Sequence, residues 1–340
     1  MTRTSWCLLL ALGMGLAPSA FASAQEPFYK GKTIRIIVGV SPGGGYDTYS
    51  RFTGRHMGKH IPGNPTIIVE NMPGAASLIA ANHLYKVAKP DGLTIGHFLG
   101  GLFLQQLLEK PGIEFDARKF EYLGVPTQDH YVIGLSKAAG ITNVEQWMAS
   151  KKLVKIGGVG TGSPTDDIPK ILAATMGLPV QLVTGYKGTA EVRLAFNSGE
   201  VNGVCNAWES FRATWRKELD AEEVNVVLQA SSRSHPELAR VPLAISFAKS
   251  NEARRLIEVG VHSIPPTARP YVLPPGTPKE RVEILRKAYM DTIRSPELLA
   301  EAQKAKLDIN PADGAELERN VKELFSLEPA LVARLKEILR

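Results

Sequence analysis

The chain has 340 residues, with 40 lysines and arginines against 34 aspartates and glutamates, which gives a formal net charge of +6 at pH 7. The positive charges are scattered, and neither a basic block nor an arginine–aromatic pattern indicates a nucleic-acid-binding protein. A chain of this length can bury two hydrophobic cores and does not need disulfides in order to fold.

The first segment is typical of a secretory signal peptide. Arg3 supplies a positive charge, residues 7–17 are apolar, and residues 22–24 (ASA) form a small-residue cleavage site. The apolar run is shorter than the roughly 20 residues that a membrane-spanning helix needs. We therefore expect cleavage after Ala24 and a soluble protein of the periplasm; an uncleaved anchor or a buried first helix is the alternative. The mature chain keeps one cysteine, Cys205, and cannot form an internal disulfide.

From residue 33 onward, short β-branched runs alternate with amphipathic stretches. Strands are predicted at 33–40, 66–70, 93–98, 154–158, 180–183, 201–205 and 225–228. Helices are predicted at 46–61, 75–87, 102–109, 165–176, 190–196, near 210–219, and at 279–294, 296–306 and 315–339. The alternation and the apolar strands predict an α/β fold of parallel sheets covered by helices on both faces. Thr277 is the predicted N-cap of the helix at 279, with Pro278 at its first position.

Two proline-rich passages, at 124–126 and 264–275, bracket the middle of the chain and indicate crossings between two lobes. The predicted division is a signal peptide at 1–24, a first lobe of residues 25–126 plus 266–340, and a second lobe of residues 127–265.

Three glycine-rich loops lie where a predicted strand gives way to a predicted helix: 41–47 (SPGGGYD), 157–165 (GGVGTGSPT) and 185–189 (GYKGT). Glycine lets the backbone approach a ligand closely, and a helix start presents unpaired N–H groups and the positive end of its dipole. Such loops bind phosphate or carboxylate. None of them matches a P-loop or a complete dinucleotide fingerprint, which argues against a nucleotide ligand. Tight turns without a ligand are the alternative for each loop.

Other polar residues give weaker signals. Asp47 stands four residues before Arg51 in a first helical turn, so an ion pair is favoured over a ligand contact. His56 and His60 are four residues apart but lack the glutamate and the third ligand of a zinc motif, so they are interpreted as a surface pair. The sequence predicts no catalytic residue, no metal and no cofactor.

Six short segments occur in an order that carries more information than any one of them: FYKGKTIRIIV at 28–38, PGGGYD at 42–47, VENMPGA at 69–75, KPDGLT at 89–94, GYKG at 185–188 and LPPGTP at 273–278. In this order the chain resembles the extracytoplasmic solute receptors of tripartite tricarboxylate transporters, also called Bug receptors, as a divergent member. The resemblance implies a two-lobed periplasmic binding protein, type II-like, with a hinge and a ligand enclosed between the lobes.

The resemblance also implies a function. Such a receptor captures a small carboxylate-bearing solute, closes around it, and presents the closed form to the large and small membrane subunits of a transporter; we expect a monomer that catalyses nothing. In similar proteins, loops matching 41–47 and 160–165 hold the ligand carboxylate through backbone N–H groups and ordered waters, and the segments at 186–188 and 206–209 face the solute from the second lobe. The expected ligand-binding residues are Ser41, Pro42, Gly43, Gly44, Gly45, Tyr46, Gly160, Thr161, Gly162, Ser163, Thr165, Tyr186, Lys187, Asn206, Trp208 and Arg269.

The chain departs from the family's pattern where the distal part of the solute is expected to lie. Residues 165–167 (TDD) stand where the family often has a histidine nearby, and Arg269 falls in a stretch that is usually more apolar. The guanidinium of Arg269 is a candidate for holding a second carboxylate as a fork, with a surface or hinge salt bridge as the alternative. The solute therefore stays open between mono- and dicarboxylates, aliphatic or aromatic.

Two other functions fit the same scaffold. A sensory receptor would present the same closed shape to a signalling kinase. A periplasmic enzyme would need a nucleophile, but Ser163 does not lie in a G-x-S-x-G elbow, and Cys205 is better explained as a small buried residue.

Overall fold

The structure is a computed structural model that describes residues 26–340, so the signal peptide predicted at 1–24 lies outside the described residues. The strands are β1 (Thr33–Val38), β2 (Thr66–Asn71), β3 (Thr94–His97), β4 (Glu121–Val125), β5 (Tyr131–Ser136), β6 (Val154–Gly158), β7 (Val180–Thr184), β8 (Gly203–Ala207), β9 (Val224–Gln229), β10 (Tyr271–Leu273) and β11 (Ala312–Asp313).

The α-helices are α1 (Gly45–Met57), α2 (Leu78–Lys86), α3 (Gly101–Leu107), α4 (Val144–Ala149), α5 (Pro164–Met176), α6 (Thr189–Asn197), α7 (Trp208–Thr214), α8 (Arg216–Asp220), α9 (Asn251–Ile257), α10 (Lys279–Ile293), α11 (Pro296–Lys304), α12 (Gly314–Leu324) and α13 (Pro329–Leu339). No helix within residues 26–340 has the length and apolar character needed to cross a lipid bilayer.

The strands form two sheets, and each sheet with its helices makes one lobe. The first lobe contains a six-stranded sheet of order β11-β4-β10-β3-β1-β2, and the second a five-stranded sheet of order β7-β6-β8-β5-β9. β1 pairs in parallel with β2 and β3, and β6 in parallel with β7 and β8. β10 and β5 pair antiparallel with both of their neighbours. The α/β class and the two lobes are as predicted, and each sheet, expected to be mainly parallel, combines parallel with antiparallel pairs.

The antiparallel strands enter each sheet where the chain changes lobe. The chain leaves the first sheet at Val125 and enters the second at Tyr131, so residues 126–130 form the first crossover. It returns to the first sheet with β10, and residues 264–270, just before that strand, form the second crossover. Two parallel neighbours in a sheet are usually joined by a crossover helix. A strand that arrives directly from the other lobe is not joined to its neighbours in this way, so it can pair antiparallel with them.

Burial explains why the predicted strands formed where they did. Ile36 and Val38 on one face of β1 and Ile37 on the other are excluded from solvent, as is typical of a strand in the middle of a sheet covered on both faces. Helix α1 packs on β2 and on α10, which follows the second crossover. The first lobe is therefore closed by a helix from the far end of the chain.

Three predictions of helix boundaries were wrong. The helix predicted near 210–219 is divided at Trp215 into α7 and α8. The helix predicted at 315–339 is divided into α12 and α13, because Pro329 begins a new helix and cannot continue the preceding one. Thr277 does not cap α10: its hydroxyl donates to the carbonyl of Pro274 (2.8 Å), and Pro278 is the residue before the helix.

Candidate functional site

A small, partly enclosed cavity lies between the two lobes, beside the crossovers. Its volume is about 30 Å³, counted as the space open to the centre of a water molecule, which is room for roughly two or three waters. Six of the expected ligand-binding residues lie in the cavity wall: Gly45, Tyr46, Ser163, Thr165, Asn206 and Arg269. The remaining lining residues were not expected: Val40, Leu99, Asp129, Tyr131, Val159, Pro164, Thr189, Ala207 and Ser210.

Direct hydrogen bonds hold the lobes together across the cleft. The backbone N–H of Ser41 in the first lobe donates to the carbonyl of Lys187 in the second (2.9 Å). The amide of Gln105 on α3 donates to the carboxylate of Asp167 on α5 (2.8 Å). The structure therefore represents a closed conformation, in which the first and third glycine loops touch each other.

The start of α1 keeps free backbone donors. Gly43 N–H donates to the carboxylate of Asp47 (2.9 Å), and that carboxylate also accepts from Arg51 Nε (3.0 Å), which confirms the predicted Asp47–Arg51 pair. Within the described residues, the N–H groups of Gly44, Gly45 and Tyr46 donate to no acceptor. These three N–H groups lie at the N-terminus of α1, which is the positive end of the helix dipole, and Gly45 and Tyr46 line the cavity.

The second glycine loop is already occupied by the chain's own carboxylates. Gly160 N–H donates to Asp166 (2.8 Å), and Gly162 N–H donates to both oxygens of Asp167 (3.1 Å each). Burial raises the pKa of Asp167 to about 7. The two acids lie in the first turn of α5, where they fold back onto the loop and complement the helix dipole. In this conformation the amides of Gly160 and Gly162 are not offered to a solute.

Three of the expected ligand residues lie away from the cavity. The hydroxyl of Tyr186 donates to Glu200 (2.7 Å), and Lys187 is exposed. Trp208 donates through Nε1 to Glu237 (2.8 Å), and its ring packs beside Phe211 in the core of the second lobe.

The other expected ligand-binding residues of the first two glycine loops lie near the cavity but do not line it. Ser41 and Gly44 contact the third loop, where a Cβ on Gly44 would lie 2.7 Å from the Thr189 hydroxyl, whereas Pro42 and Gly43 are exposed. The carbonyl of Thr161 accepts from Lys110 Nζ (2.5 Å) on the first lobe.

Arg269 is a buried ion-pair residue. Its side chain is 1% exposed, its Nε lies 2.5 Å from Asp129 Oδ1, and its Nη2 donates to the hydroxyl of Ser210 (2.8 Å). The guanidinium carbon lies 4.5 Å from the ring centre of Tyr46 and 4.9 Å from that of Tyr49, which are cation–π distances. The pair excludes the surface salt bridge that the sequence left open, and it occupies the guanidinium edge that a second carboxylate would have used.

Two donors in the cavity lack an acceptor. Arg269 Nη1 and Asn206 Nδ2 are buried, and neither has a hydrogen-bond partner among the described residues. Asn206 is held in place because its Oδ1 accepts from the N–H of Ala207 (3.0 Å). A Cβ on Gly45 would lie 3.2 Å from Arg269 Nη1, so this nitrogen faces the start of α1. A buried donor without an acceptor is costly, and a pair of them beside free helix N–H groups is suited to an anion.

Two carboxyl groups border the same region. Asp129 accepts from the hydroxyl of Tyr131 (2.8 Å) as well as from Arg269. Glu209 accepts from the N–H of His130 (3.2 Å), and burial, together with the charge of Asp129, raises the pKa of Glu209 to about 8. Glu209 is therefore mostly uncharged at neutral pH, and Asp129 is the carboxyl group in direct contact with Arg269.

The structure places the candidates for other chemistry away from this arrangement. Cys205 is fully buried, and burial raises the pKa of its thiol, so it is poorly suited to act as a nucleophile. His56 contacts Glu301 (2.6 Å) on the outside of the first lobe. Within residues 26–340, no three His, Cys, Asp or Glu side chains are grouped so as to hold a metal ion.

Comparison with known proteins gives one family. The sequence model of the tripartite tricarboxylate transporter family receptor matches residues 55–336. Among curated proteins no sequence matches the chain.

Several solved structures share the fold. The periplasmic binding protein BugD is 20% identical, with a TM-score of 0.74 over 91% of this chain and 98% of that chain. MatC from Rhodopseudomonas palustris, with bound malate, is 18% identical, with a TM-score of 0.70 over 91% of this chain and 99% of that chain. An R. palustris protein with adipate is 19% identical, with a TM-score of 0.71 over 90% of this chain and 96% of that chain. At these identities the likeness shows the two-lobed fold.

Proposed function

Because the chain belongs to the tripartite tricarboxylate transporter receptor family, we propose that it is a periplasmic solute receptor that captures a small carboxylate and delivers it to the membrane subunits of such a transporter. The proposal includes no chemical step. The segment at 1–24 is the proposed export signal, and the mature chain is proposed to act as a monomer.

One observation carries the carboxylate assignment. Arg269 Nη1 and Asn206 Nδ2 are buried donors without an acceptor in the same cavity, next to the free N–H groups at the start of α1. A carboxylate supplies two acceptor oxygens and one negative charge, and hydrogen bonds to a charged group are about twice as strong as neutral ones. The proposed ligand site therefore consists of Gly45, Tyr46, Asn206 and Arg269, with Ser210 holding the guanidinium in place.

The proposed mechanism is closure about the two crossovers. Residues 25–126 plus 266–328 would move as one lobe and residues 127–265 as the other, with α13, which packs on α5, moving with the second lobe. The solute would enter while the lobes are apart. Its carboxylate would bridge α1 of the first lobe and Asn206 of the second, so binding favours the closed state by the difference in its affinity for the two conformations. The contact from Ser41 to Lys187 would then form as the cleft closes.

Titration calorimetry with purified protein tests the assignment, using a panel of aliphatic and aromatic mono- and dicarboxylates. At least one acid is expected to bind and to raise the melting temperature, because ligand that binds only the native state stabilises it. Asn206→Leu, which removes the free donor at similar size, is expected to weaken binding by about 10- to 100-fold. Asn251→Leu is the matched control, because Asn251 is exposed at the start of α9, away from the cavity.

Two results would contradict the proposal. One is a panel in which no acid binds. The other is an Asn206→Leu variant that binds as tightly as the wild-type protein.

A further inference from the structure

The charges inside the cavity are balanced before any solute arrives. Among its lining residues only Asp129 and Arg269 carry a full charge, and the two are in direct contact, Nε to Oδ1 at 2.5 Å. With Nε taken by Asp129 and Nη2 by Ser210, a single guanidinium nitrogen, Nη1, is left over. The cavity thus offers one cationic position, and no second one is present among its lining residues.

The apolar part of the lining is unsuited to a second carboxylate. Val40, Leu99, Val159 and Ala207 form apolar walls, and each of them is nearly excluded from solvent. Taking an ionised carboxylate out of water against such walls is unfavourable unless a cation or several hydrogen bonds replace its hydration.

The surroundings also repel additional negative charge. Asp129 already lies in the cavity wall, so a second carboxylate of the solute would be brought close to a like charge at low dielectric. The second glycine loop does not offer the amides of Gly160 and Gly162 to a second carboxylate, because these amides donate to Asp166 and Asp167. An anion at that loop would have to displace carboxylates that belong to the chain.

The size of the cavity limits the body of the solute. A space of about 30 Å³ for the centre of a water molecule holds roughly two or three waters. A solute with a long chain would keep the lobes from reaching this closure.

On the basis of the proposed function, we propose that the solute is a compact monocarboxylate. Its carboxylate binds Arg269 Nη1, Asn206 Nδ2 and the free N–H groups at the start of α1, and its short uncharged body packs on Val40 and Leu99. The ion pair of Arg269 with Asp129 sets the specificity: it leaves a single guanidinium nitrogen, Nη1, for one carboxylate.

Acids that differ only by a second carboxylate test this inference. Propionate is compared with succinate, and lactate with malate, by titration calorimetry on the purified protein at about pH 7.5. The expected result is that each monocarboxylate binds at least tenfold more tightly than its dicarboxylate partner, and that hexanoate binds more weakly than propionate. Equal or tighter binding of succinate and malate would overturn the inference and leave the proposed function in place. Binding of no acid in the wider panel would overturn both.

Asp129→Asn tests the cause of the selectivity. The amide can still accept from Arg269, but the negative charge is gone, so the preference for propionate over succinate is expected to fall by at least tenfold. An unchanged preference would show that charge balance does not set the specificity.

A check that needs no variant uses the wild-type protein. Lowering the pH from about 7.5 to about 5 increases the fraction of succinate that carries a single charge. Succinate is therefore expected to gain affinity relative to propionate, and a ratio that does not move would count against the inference.

Discussion

Arg269 and Asp129 connect the two segments through which the chain passes between its lobes. Asp129 follows β4 in the first crossover, Arg269 precedes β10 in the second, and Nε and Oδ1 are 2.5 Å apart with both side chains excluded from solvent. Because Arg269 also faces the cavity, the same ion pair lies at the hinge and at the candidate ligand site.

Replacing only one residue of this ion pair is expected to reduce stability more than replacing both. Asp129→Leu leaves a buried guanidinium unpaired and should lower the free energy of unfolding by about 3–5 kcal/mol, and Arg269→Met should have a cost of similar size. The double variant should cost clearly less than the sum of the two, because no uncompensated charge stays buried.

Chemical denaturation of the wild type, the two single variants and the double variant measures this coupling. The exposed pair Arg334 and Glu252 serves as the control, and Arg334→Met is expected to change stability by less than about 1 kcal/mol. Additive costs for Asp129 and Arg269 would contradict the prediction.

Gly45 is expected to be the most sensitive glycine of the first loop. A Cβ there would lie 2.0 Å from the Ser210 hydroxyl and 2.9 Å from Ser210 Cβ, across the cleft, so Gly45→Ala should prevent full closure. Its effect on folding should be small, since alanine is a good helix former at the first position of α1. We expect affinity for the solute to fall by about tenfold or more, as the binding-competent state becomes rarer.

Small-angle scattering with and without ligand, together with calorimetry, checks the Gly45 prediction. Gly44→Ala is the matched control: its only close contact would be the Thr189 hydroxyl at 2.7 Å, which can rotate away, and the next atoms are at ordinary van der Waals distances of 3.7 and 3.8 Å. Compaction of Gly45→Ala by ligand to the wild-type radius would contradict the expectation.

The sequence identified strands where apolar character is continuous and local. β1 and β6 were found because most of their residues are apolar or glycine and buried, as is typical of a doubly covered sheet. β10 was missed because it has three residues, and its place depends on antiparallel pairing with β3 and β4 rather than on any local pattern. The run YVIGLS of β5 is also typical of a buried strand, although no strand was predicted there.

The site was predictable only in part, for a similar reason. The glycine loops and the start of α1 can be read from neighbouring residues, and so can the Asp47–Arg51 pair. The pairing of Arg269 with Asp129 spans 140 positions, and the fold alone brings these residues together. Whether Asp167 caps its own loop or leaves the loop amides free depends on a side-chain conformation that sequence does not specify.

Glu209 should make the protein less stable as the pH rises. Burial, with the charge of Asp129 nearby, raises the pKa of Glu209 to about 8, above its ordinary value of 4.5. Between these values the unfolded chain loses the proton while the folded chain keeps it. The stability is therefore fully present below about pH 4.5 and is lost as the pH rises through about 8, at up to ~1.4 kcal/mol per pH unit.

Glu209→Gln is expected to flatten this dependence, because the amide is neutral at every pH. Urea unfolding at several values between about pH 5 and 8 measures the slope, and Glu145→Gln on an exposed helix face is the control. Equal slopes for wild type and Glu209→Gln would rule out the assigned burial of an uncharged carboxyl group. Part of the slope is expected to survive, since burial also raises the pKa of Asp167 to about 7.

Asp308 is expected to help hold the lobes closed. It lies between α11 and β11 of the first lobe, and its carboxylate contacts Arg212 on α7 of the second lobe. Asp308→Asn removes this ion pair but keeps the backbone carbonyl of residue 308, which accepts from the Tyr49 hydroxyl (2.8 Å). The pair is partly exposed, so the expected loss is at most about 1 kcal/mol, seen as a several-fold weaker solute affinity and a faster dissociation rate.

Arg212 has a second partner, Glu237 (2.9 Å), which belongs to its own lobe. Glu237→Gln should therefore leave affinity unchanged, and equal losses in both variants would mean that Arg212 acts within its lobe and not as a contact between the two.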